Sequence, residues 1–565
     1  MAGSLAALVC SQLKLKVLVV EISKHPRFAI GESTVPTTTA IIDAISKKYN
    51  IPELKNLTRY CTKNRPRIFD GKDYPKMGFW FGLHKEGEFL NVNDELLFEA
   101  LDYPLGPDVH IKREELDMYL NSLYPKYGID YVDNAKIFNH IYDCKNQIGQ
   151  VSLKIKAIEE VKKISTRLVL DCTGHSAHFA REQDLLEQKV TSLHTNTRGI
   201  YAHFESSCID SLENVMGGPN PFFRIKRDYT TMHHCFNGGW FWVIPFDDGN
   251  ISIGLVLDNN INPPDLKLSP EEEFFKYISK FPTVKKHIAK ARRTTKFVRK
   301  SRLQMYSKKI FSNGVVLSPH SAVFVDPLFS SGILISADYI YHLGDVINKC
   351  FKSNNFGQEN FEELSKIFYR NVKHIDRIVD SSLKSFGDRR VFGQVFRTWA
   401  LGSIIHMFLF NYIRTDQIDS KSTGLYGSHY EKFYNCVKKI HETICKFPIN
   451  IDTAKELHFI LSEYSLSSQC NKYAAKFEDP ESELPYLFTY KVNNSKAVLN
   501  LVYKHLFSNM NLFDKARFLK RTITMHTLPI LQNYLTRWFS NKYFLKRLKN
   551  ISRAKHDWYS TTDMK

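Results

Sequence analysis

The chain has ten cysteines, yet no two are spaced C-x-x-C and no cysteine–histidine cluster has the spacing of a zinc site. No metal is expected, and the cysteines, at positions 10, 61, 144, 172, 208, 235, 350, 436, 445 and 470, read as reduced thiols, mostly in the core of a cytoplasmic protein. No hydrophobic run reaches membrane length. The longest uncharged stretch, Thr398 to Ile413, includes Ser403, His406 and Asn411 and predicts a buried or interfacial helix, so no transmembrane segment is expected. The first ten residues lack the basic start of a signal peptide and are followed at once by a strand pattern, which predicts a helix there. Low-complexity tracts, repeats and nucleic-acid motifs are absent, which leaves no basis for a nucleic-acid partner. Acid is scarce. Against 78 Lys and Arg stand 59 Asp and Glu, a net charge of +19 that favours an anionic substrate or partner.

What is present is globular: 43% hydrophobic and 24% charged residues in a chain long enough for two or more domains. Leu15-Lys16-Val17-Leu18-Val19-Val20-Glu21 reads as a buried strand ending in an acid. A dinucleotide-binding unit places G-x-G-x-x-G between its first strand and first helix, with a carboxylate about 20 residues onward for the ribose. Gly3 fits the third glycine and Glu21 the ribose acid. The first strand and the first two glycines are missing, so the chain is expected to be N-terminally incomplete.

Several denser blocks follow. His25-Pro26-Arg27-Phe28-Ala29-Ile30-Gly31-Glu32-Ser33-Thr34-Val35-Pro36 is a Pro/Gly turn. Tyr74-Pro75-Lys76-Met77-Gly78-Phe79-Trp80-Phe81 carries K-x-G-x-x-F; taken alone, its lysine reads as a surface residue with its stem on aromatics. Arg113-Glu114-Glu115-Leu116-Asp117 opens a helix after a short strand, and Leu168 to Ser176 reads as strand, acid and tight Gly turn. Gly238-Gly239-Trp240-Phe241-Trp242-Val243-Ile244-Pro245 places two tryptophans on one face of an extended segment; a plain hydrophobic strand would serve as well. In Gly314 to Gly332 a strand feeds a loop with Pro319-His320 and Asp326-Pro327-Leu328-Phe329, and Ser331-Gly332 opens a helix. Backbone N–H groups there suit an anion, although an ordinary helix cap also explains the serine.

Together these blocks resemble the flavin-dependent halogenases, through W-x-W-x-I-P, "FPRFxIGESxxP", K-x-G-x-x-F and "R-x-x-F/L-D-x-x-L", with Ala2 to Ala7 similar to the end of "GGGPAGSLAA". The resemblance covers about residues 1 to 345. It implies an α/β fold: a Rossmann-like FAD-binding domain of the aromatic-hydroxylase type, with an interleaved substrate sheet at roughly 60–110 and 190–300. Residues 346–565 read separately as a helical domain, from apolar residues at helical spacing. The resemblance also implies chemistry. Reduced FAD and O₂ form a flavin hydroperoxide, chloride or bromide attacks it, and HOCl passes to a lysine, which delivers electrophilic halogen to an electron-rich ring. Lys76 inherits that role, and Trp240 and Trp242 that of suppressing plain monooxygenation. Gly3, Glu21, Arg27, Gly31, Glu32, Arg113, His320, Asp326, Pro327 and Gly332 are implied to meet the flavin, and Ser331 and Gly332 the halide.

Three departures from the family pattern bear on function. The family's G-D-A-A becomes Pro319-His320-Ser321-Ala322, and His320 can accept from the FAD ribityl chain only as a neutral imidazole. Phe329 stands where tryptophan halogenases carry Glu, which favours phenolic or carrier-tethered pyrrolic or tyrosyl substrates over free tryptophan. The interval between Glu32 and Lys76 is long and implies an insertion. A separate flavin reductase is the implied source of FADH₂, since no second nucleotide fingerprint is present. A flavin monooxygenase of the same fold and an inactive flavoprotein-like scaffold stay open as alternatives. Near the C-terminus Lys542, Lys546, Arg547, Lys549, Arg553 and Lys555 interleave with apolar residues, either an ordinary surface helix or a face for a membrane or acidic carrier protein.

Overall fold

Alternation along the strands builds the largest element, a sheet of eight strands. In spatial order these are Val298–Lys300, Thr197–Glu205, Asn250–Asp258, Gly239–Pro245, Thr230–Phe236, Gly78–His84, Glu95–Glu99 and Tyr486–Thr489. Neighbours are antiparallel except Thr230–Phe236 with Gly78–His84 and Tyr486–Thr489 with Glu95–Glu99, which run parallel. The structure, a computed structural model, describes residues 1–58, 74–99, 108–156, 161–221, 223, 225–413, 424–464, 481 and 486–489.

Side chains alternate between the two faces of this sheet. One face carries Trp80, Met232, Phe241, Val243, Ile253 and Leu255 and is closed by the helices Pro270–Ser279 and Pro282–Ile288 through Phe274, Ile278, Val284 and Ile288. The first of these helices starts where the sequence says it should. Ser269 and Glu272 form a reciprocal capping box, and Pro270 occupies the first turn. The other face presents Phe79, Phe81, His233, Trp240, Trp242 and Tyr201, and the candidate site lies there.

The nucleotide-binding part is built from short parallel pairs. Leu18–Val20 pairs with Asp130–Val132, and Val169–Asp171 with Val315–Leu317. The strand expected over Leu15 to Glu21 is thus only three residues long and half-exposed rather than buried, because Asp130–Val132 is its single strand neighbour among the described residues. The N-terminal helix, Ala2–Gln12, packs tightly on this layer: a methyl group at Gly3 would sit 3.2 Å from Cys172 Cβ. Close helix–strand packing is the task of the third fingerprint glycine.

The C-terminal helices include Ser331–Ser353, Glu362–Ser385, Arg389–Ile413, Glu431–Lys446 and Ile451–Glu463. The change of domain expected at residue 345 falls inside the first of these, so the loop ending at Ser330 and the helical region are joined by one continuous element. The region is not purely helical either. Tyr486–Thr489 adds a strand to the edge of the sheet, and four residues, Tyr-Leu-Phe-Thr, are too few for periodicity to separate strand from helix. Trp399, Ala400, Leu401 and Ile405 are buried, as the uncharged run predicted. Among the described residues no helix is long and apolar enough to cross a membrane, and eight cysteines are free. Cys61, Cys470, residues 59–73 of the long interval before Lys76 and the basic segment at 542–555 lie outside the described residues.

Candidate active site

Lys76 ends the short strand Tyr74–Lys76, which pairs antiparallel with Asp108–His110 and places Lys76 opposite Asp108. The sequence alone suggested a surface lysine; the side chain is instead fully buried, at 0% exposure. Its Nζ donates to Ser33 Oγ and to the Thr34 carbonyl, both at 2.8 Å, and lies 3.4 Å from the centre of the Phe79 ring. Burial penalises the ammonium and holds its basicity well below the ordinary lysine value, against the pull of Asp108 in the other direction. Asp108 answers in kind. Burial pushes its carboxyl up to about 7, opposed by Lys76 and by the hydrogen bond from Thr39 Oγ1 at 3.2 Å. A neutral amine has two N–H donors, and both are engaged here, so its lone pair is left over.

From Lys76 a run of hydroxyls crosses to the loop ahead of the long helix Ser331–Ser353. Ser33 Oγ is 3.1 Å from Ser330 Oγ and 3.0 Å from Thr231 Oγ1, which in turn meets His110 Nε2 at 2.8 Å. Ser330 is the residue before the helix, in a left-handed backbone conformation, and its hydroxyl does not cap the helix. The first N–H groups of Ser331–Ser353 therefore have no side-chain cap, which suits an anion at Ser331 and Gly332.

The two tryptophans do share a face. Trp240 and Trp242 are buried, with ring centres 5.9 Å apart. Trp240 lies 5.4 Å from the His233 ring, which stacks on Phe81 at 4.3 Å; Trp242 lies 5.9 Å from Tyr201, which stacks on Phe28 of the Pro/Gly turn at 6.4 Å. Through these ring contacts the pair packs on one side against His233 and Phe81 and on the other, by way of Tyr201, against the Pro/Gly turn. Trp242 Nε1 donates to Ser252 Oγ at 3.1 Å, whereas Trp240 Nε1 is buried without a partner. Phe329 is buried on the same side, 6.2 Å from the Phe81 ring and stacked on Trp399 at 4.4 Å and 16°.

The residues expected to meet the flavin gather on that loop side. Glu21, at the strand end, accepts from Arg27 Nη2 at 3.3 Å. Gly31 lies against the Arg113 guanidinium, which donates to the Ile30 carbonyl at 2.9 Å and to both oxygens of Asp117. Glu32 is buried and pairs with His203 Nε2 at 2.8 Å. His320 Nε2 meets the Gly332 carbonyl at 3.0 Å; a carbonyl only accepts, so the proton is on Nε2 and Nδ1 is the acceptor. That Nδ1 is buried and has no partner, and burial lowers the imidazole's basicity and keeps it neutral. An orphaned buried acceptor fits the hydroxyl-bearing ribityl chain of FAD. Asp326 is placed differently: its carboxylate accepts from Thr197 Oγ1 at 2.7 Å and from Leu328 N at 3.1 Å, so it shapes the turn through Pro327 rather than reaching outward, and burial pushes it up to about 7.

Sequence reasoning missed Asp108, His110, Thr231, Ser330 and His203 as members of this network. Only the first two had a visible signal, the strand Asp108–His110 next to Arg113; the others reach the site through sheet pairing and a loop conformation that no local pattern encodes.

Comparison with known proteins gives the family and the fold. A family model described as tryptophan halogenase matches residues 89–382, more than half of the chain. The chain is 28% identical over 422 residues to monodechloroaminopyrrolnitrin halogenase PrnC of Pseudomonas fluorescens, covering 72% of this chain and 70% of that protein. It is 23% identical over 387 residues to a 1H-pyrrole-2-carbonyl-(peptidyl-carrier protein) chlorinase of Pseudomonas fluorescens, covering 66% of this chain and 79% of that one. Among solved structures, halogenase PltM in complex with phloroglucinol and FAD shares the fold at a TM-score of 0.77 and 22% identity, over 86% of this chain and 98% of that one. A lysine, a tryptophan pair and an uncapped helix start brought together on one sheet face are thus carried by a chain that belongs to the flavin-dependent halogenase family, oxidoreductases that use FAD.

Proposed function

We propose that the protein installs chlorine or bromine on an electron-rich aromatic ring, with Lys76 as the halogen-carrying residue. The observation that carries this reading is the buried amine, held by two acceptors and shifted toward its neutral form. Bound as FADH₂, FAD would supply, with O₂ and halide, the hypohalous acid. Glu21, Arg27, Gly31, Glu32, Arg113 and His320 would hold it, Gly3 would let the N-terminal helix approach it, and the Ser331 and Gly332 N–H groups would hold the halide. At Lys76 the neutral amine displaces hydroxide from HOCl: an N–Cl bond forms, the O–Cl bond breaks, and the amine proton leaves with the hydroxide as water. Transfer of chlorine to a ring carbon, with loss of the ring proton, restores the amine. Ser33 and Thr34 orient Nζ through both steps. Trp240 and Trp242, buried side by side, would keep the oxidant from reacting with substrate at the flavin.

The Phe329–Trp399 wall supports a phenolic or pyrrolic ring, and the net charge of +19 supports delivery of that ring on an acidic carrier protein as an alternative to a free small molecule. A separate reductase would deliver FADH₂, and the free cysteines fit a reducing cytoplasm. Residues 1–345 would bind flavin and substrate, and 346–565 would close the chamber. Incubation with FADH₂, halide and a panel of phenols and pyrroles, read by mass spectrometry, tests this. A chlorine isotope pattern is expected; hydroxylated product without halogen would instead identify a monooxygenase. Lys76→Ala is expected to lower halogenation by about 10³-fold or more while oxidation of FADH₂ continues, and chlorination at the wild-type rate would remove Lys76 from the mechanism.

A further inference from the structure

We propose that Asp380, His441 and Cys445 form a binding site for one divalent metal ion, best suited to Zn²⁺, that clips two C-terminal helices together. The three residues share nothing with the halogenation site. Asp380 lies on Glu362–Ser385, and His441 and Cys445 lie on Glu431–Lys446, four residues apart and hence on one helix face. One donor atom from each lies within 4.8 Å of the other two. His441 Nε2 is 2.8 Å from Asp380 Oδ2 and 3.6 Å from Cys445 Sγ.

Both neighbours approach the same ring nitrogen. A catalytic Cys–His–Asp relay would use the two different nitrogens, and a single N–H cannot point at both atoms. Convergence on one point is what a cation requires. With Zn–N and Zn–O near ~2.0 Å and Zn–S near ~2.3 Å, a tetrahedral ion sets the sulfur–nitrogen edge at about 3.6 Å and the oxygen–nitrogen edge at about 3.3 Å. The helix spacing already supplies the first edge. The second opens by about half an ångström when the hydrogen bond gives way to the ion. A mixed S, N, O donor set favours zinc over magnesium or calcium, which take oxygen.

Two further features shape the site. His194 lies beside it, its ring centre 4.4 Å from that of His441. Its loop is fixed by Asp376, one turn before Asp380, which accepts from His194 N at 2.7 Å and from Thr195 N and Oγ1 at 3.1 and 2.7 Å. The three side chains leave the fourth position of a tetrahedral ion to a water. Lys384 pairs with Asp380 Oδ2 and occupies the cation's place electrostatically, so binding displaces that ammonium and releases the Cys445 proton. In the sequence only His441-x-x-x-Cys445 is local, and one such pair makes no zinc pattern until Asp380, 61 residues before His441, is packed against it.

The test uses the full chain, stripped with chelator, dialysed against zinc chloride and then freed of unbound metal. Elemental analysis is expected to show one more zinc per chain in wild type than in Cys445→Ser or His441→Ala, with Cys208→Ser matching wild type. Cobalt(II) in place of zinc is expected to give a thiolate charge-transfer band that Cys445→Ser loses. Zinc should raise the Tm of wild type and leave that of Cys445→Ser unchanged. Equal zinc content in wild type and both ligand variants, or a cobalt band that survives Cys445→Ser, overturns the proposal. Halogenation is not part of the readout.

Discussion

The two faces of the eight-stranded sheet carry the same residue types and treat them in opposite ways. On the helix-covered face Trp80 Nε1 donates to Glu95 at 2.6 Å, and Arg227 is clamped by Glu95 and Glu213 at 2.7 and 2.9 Å, all of them buried. His84, His234 and His287 are linked by two hydrogen bonds of 2.9 Å. On the site face Trp240 Nε1 has no partner, and Lys76 is held by one hydroxyl and one carbonyl, with its acid across the strand pair also pushed toward neutrality. Charge is paired on one face and suppressed on the other. Trp80, Glu95 and Arg227 are spent on one another, although His84 Nδ1 on the same face is left over; on the site face what is left over includes the lone pair of Lys76, a group that chemistry can use.

The contrast breaks most violently at Arg227. Arg227→Met leaves Glu95 and Glu213 as uncompensated buried carboxylates and is expected to cost roughly 3–5 kcal/mol, read as a lowered urea midpoint. A loss below about 1 kcal/mol would show that the clamp is solvated and the contrast false. Gly254→Ala acts on the site face. Gly254 is the register partner of Trp242, and a methyl group there would sit 2.1 Å from the indole. Displacing the ring is expected to cost about 1–3 kcal/mol and to shift product from halogenated toward hydroxylated ring, measured on the same mixture by mass spectrometry.

How much of this was legible beforehand differs between backbone and contacts. Gly3, Ser331-Gly332 and the tryptophan pair were readable because each works through local geometry: helix approach, a helix start, the two-residue period of a strand. Lys76 was readable as a residue but not in its state, since burial comes from Tyr74–Lys76 pairing with Asp108–His110 across an intervening segment. The edge strand Tyr486–Thr489 was lost among helices because it is short and its partner, Glu95–Glu99, is nearly four hundred residues away in sequence. The metal-like cluster was overlooked for the same reason: Asp380 and His441 meet only when their helices pack.

A smaller effect separates the two indoles directly. Trp80→Phe removes a charge-assisted donor to Glu95, and about 1–2 kcal/mol of stability should go with it. Trp240→Phe deletes an N–H that has no partner, so only the change in packing remains, expected below about 1 kcal/mol. Equal losses in the two variants would mean that Trp240 Nε1 is satisfied after all.

The finest test is the pH dependence of Lys76→Met, which keeps the buried volume and removes the amine. The folded chain holds this lysine below its ordinary value, so as pH falls below about 10.5 the unfolded chain binds a proton that the folded one refuses. Wild-type stability from this group therefore rises with pH up to that point. Asp108 works with the same sign in the comparison. In wild type it is raised to about 7 with Lys76 pulling down; without the amine it rises further, and the variant loses stability as pH climbs toward that higher value. The advantage of Lys76→Met over wild type should accordingly be greatest near neutral pH and shrink toward pH 10, seen as converging urea midpoints. Midpoints that stop converging well below pH 10, once Asp108 is ionised in the variant, would mean that Lys76 is buried as an ammonium paired with Asp108, and the neutral-amine route to an N–Cl bond would fail with it.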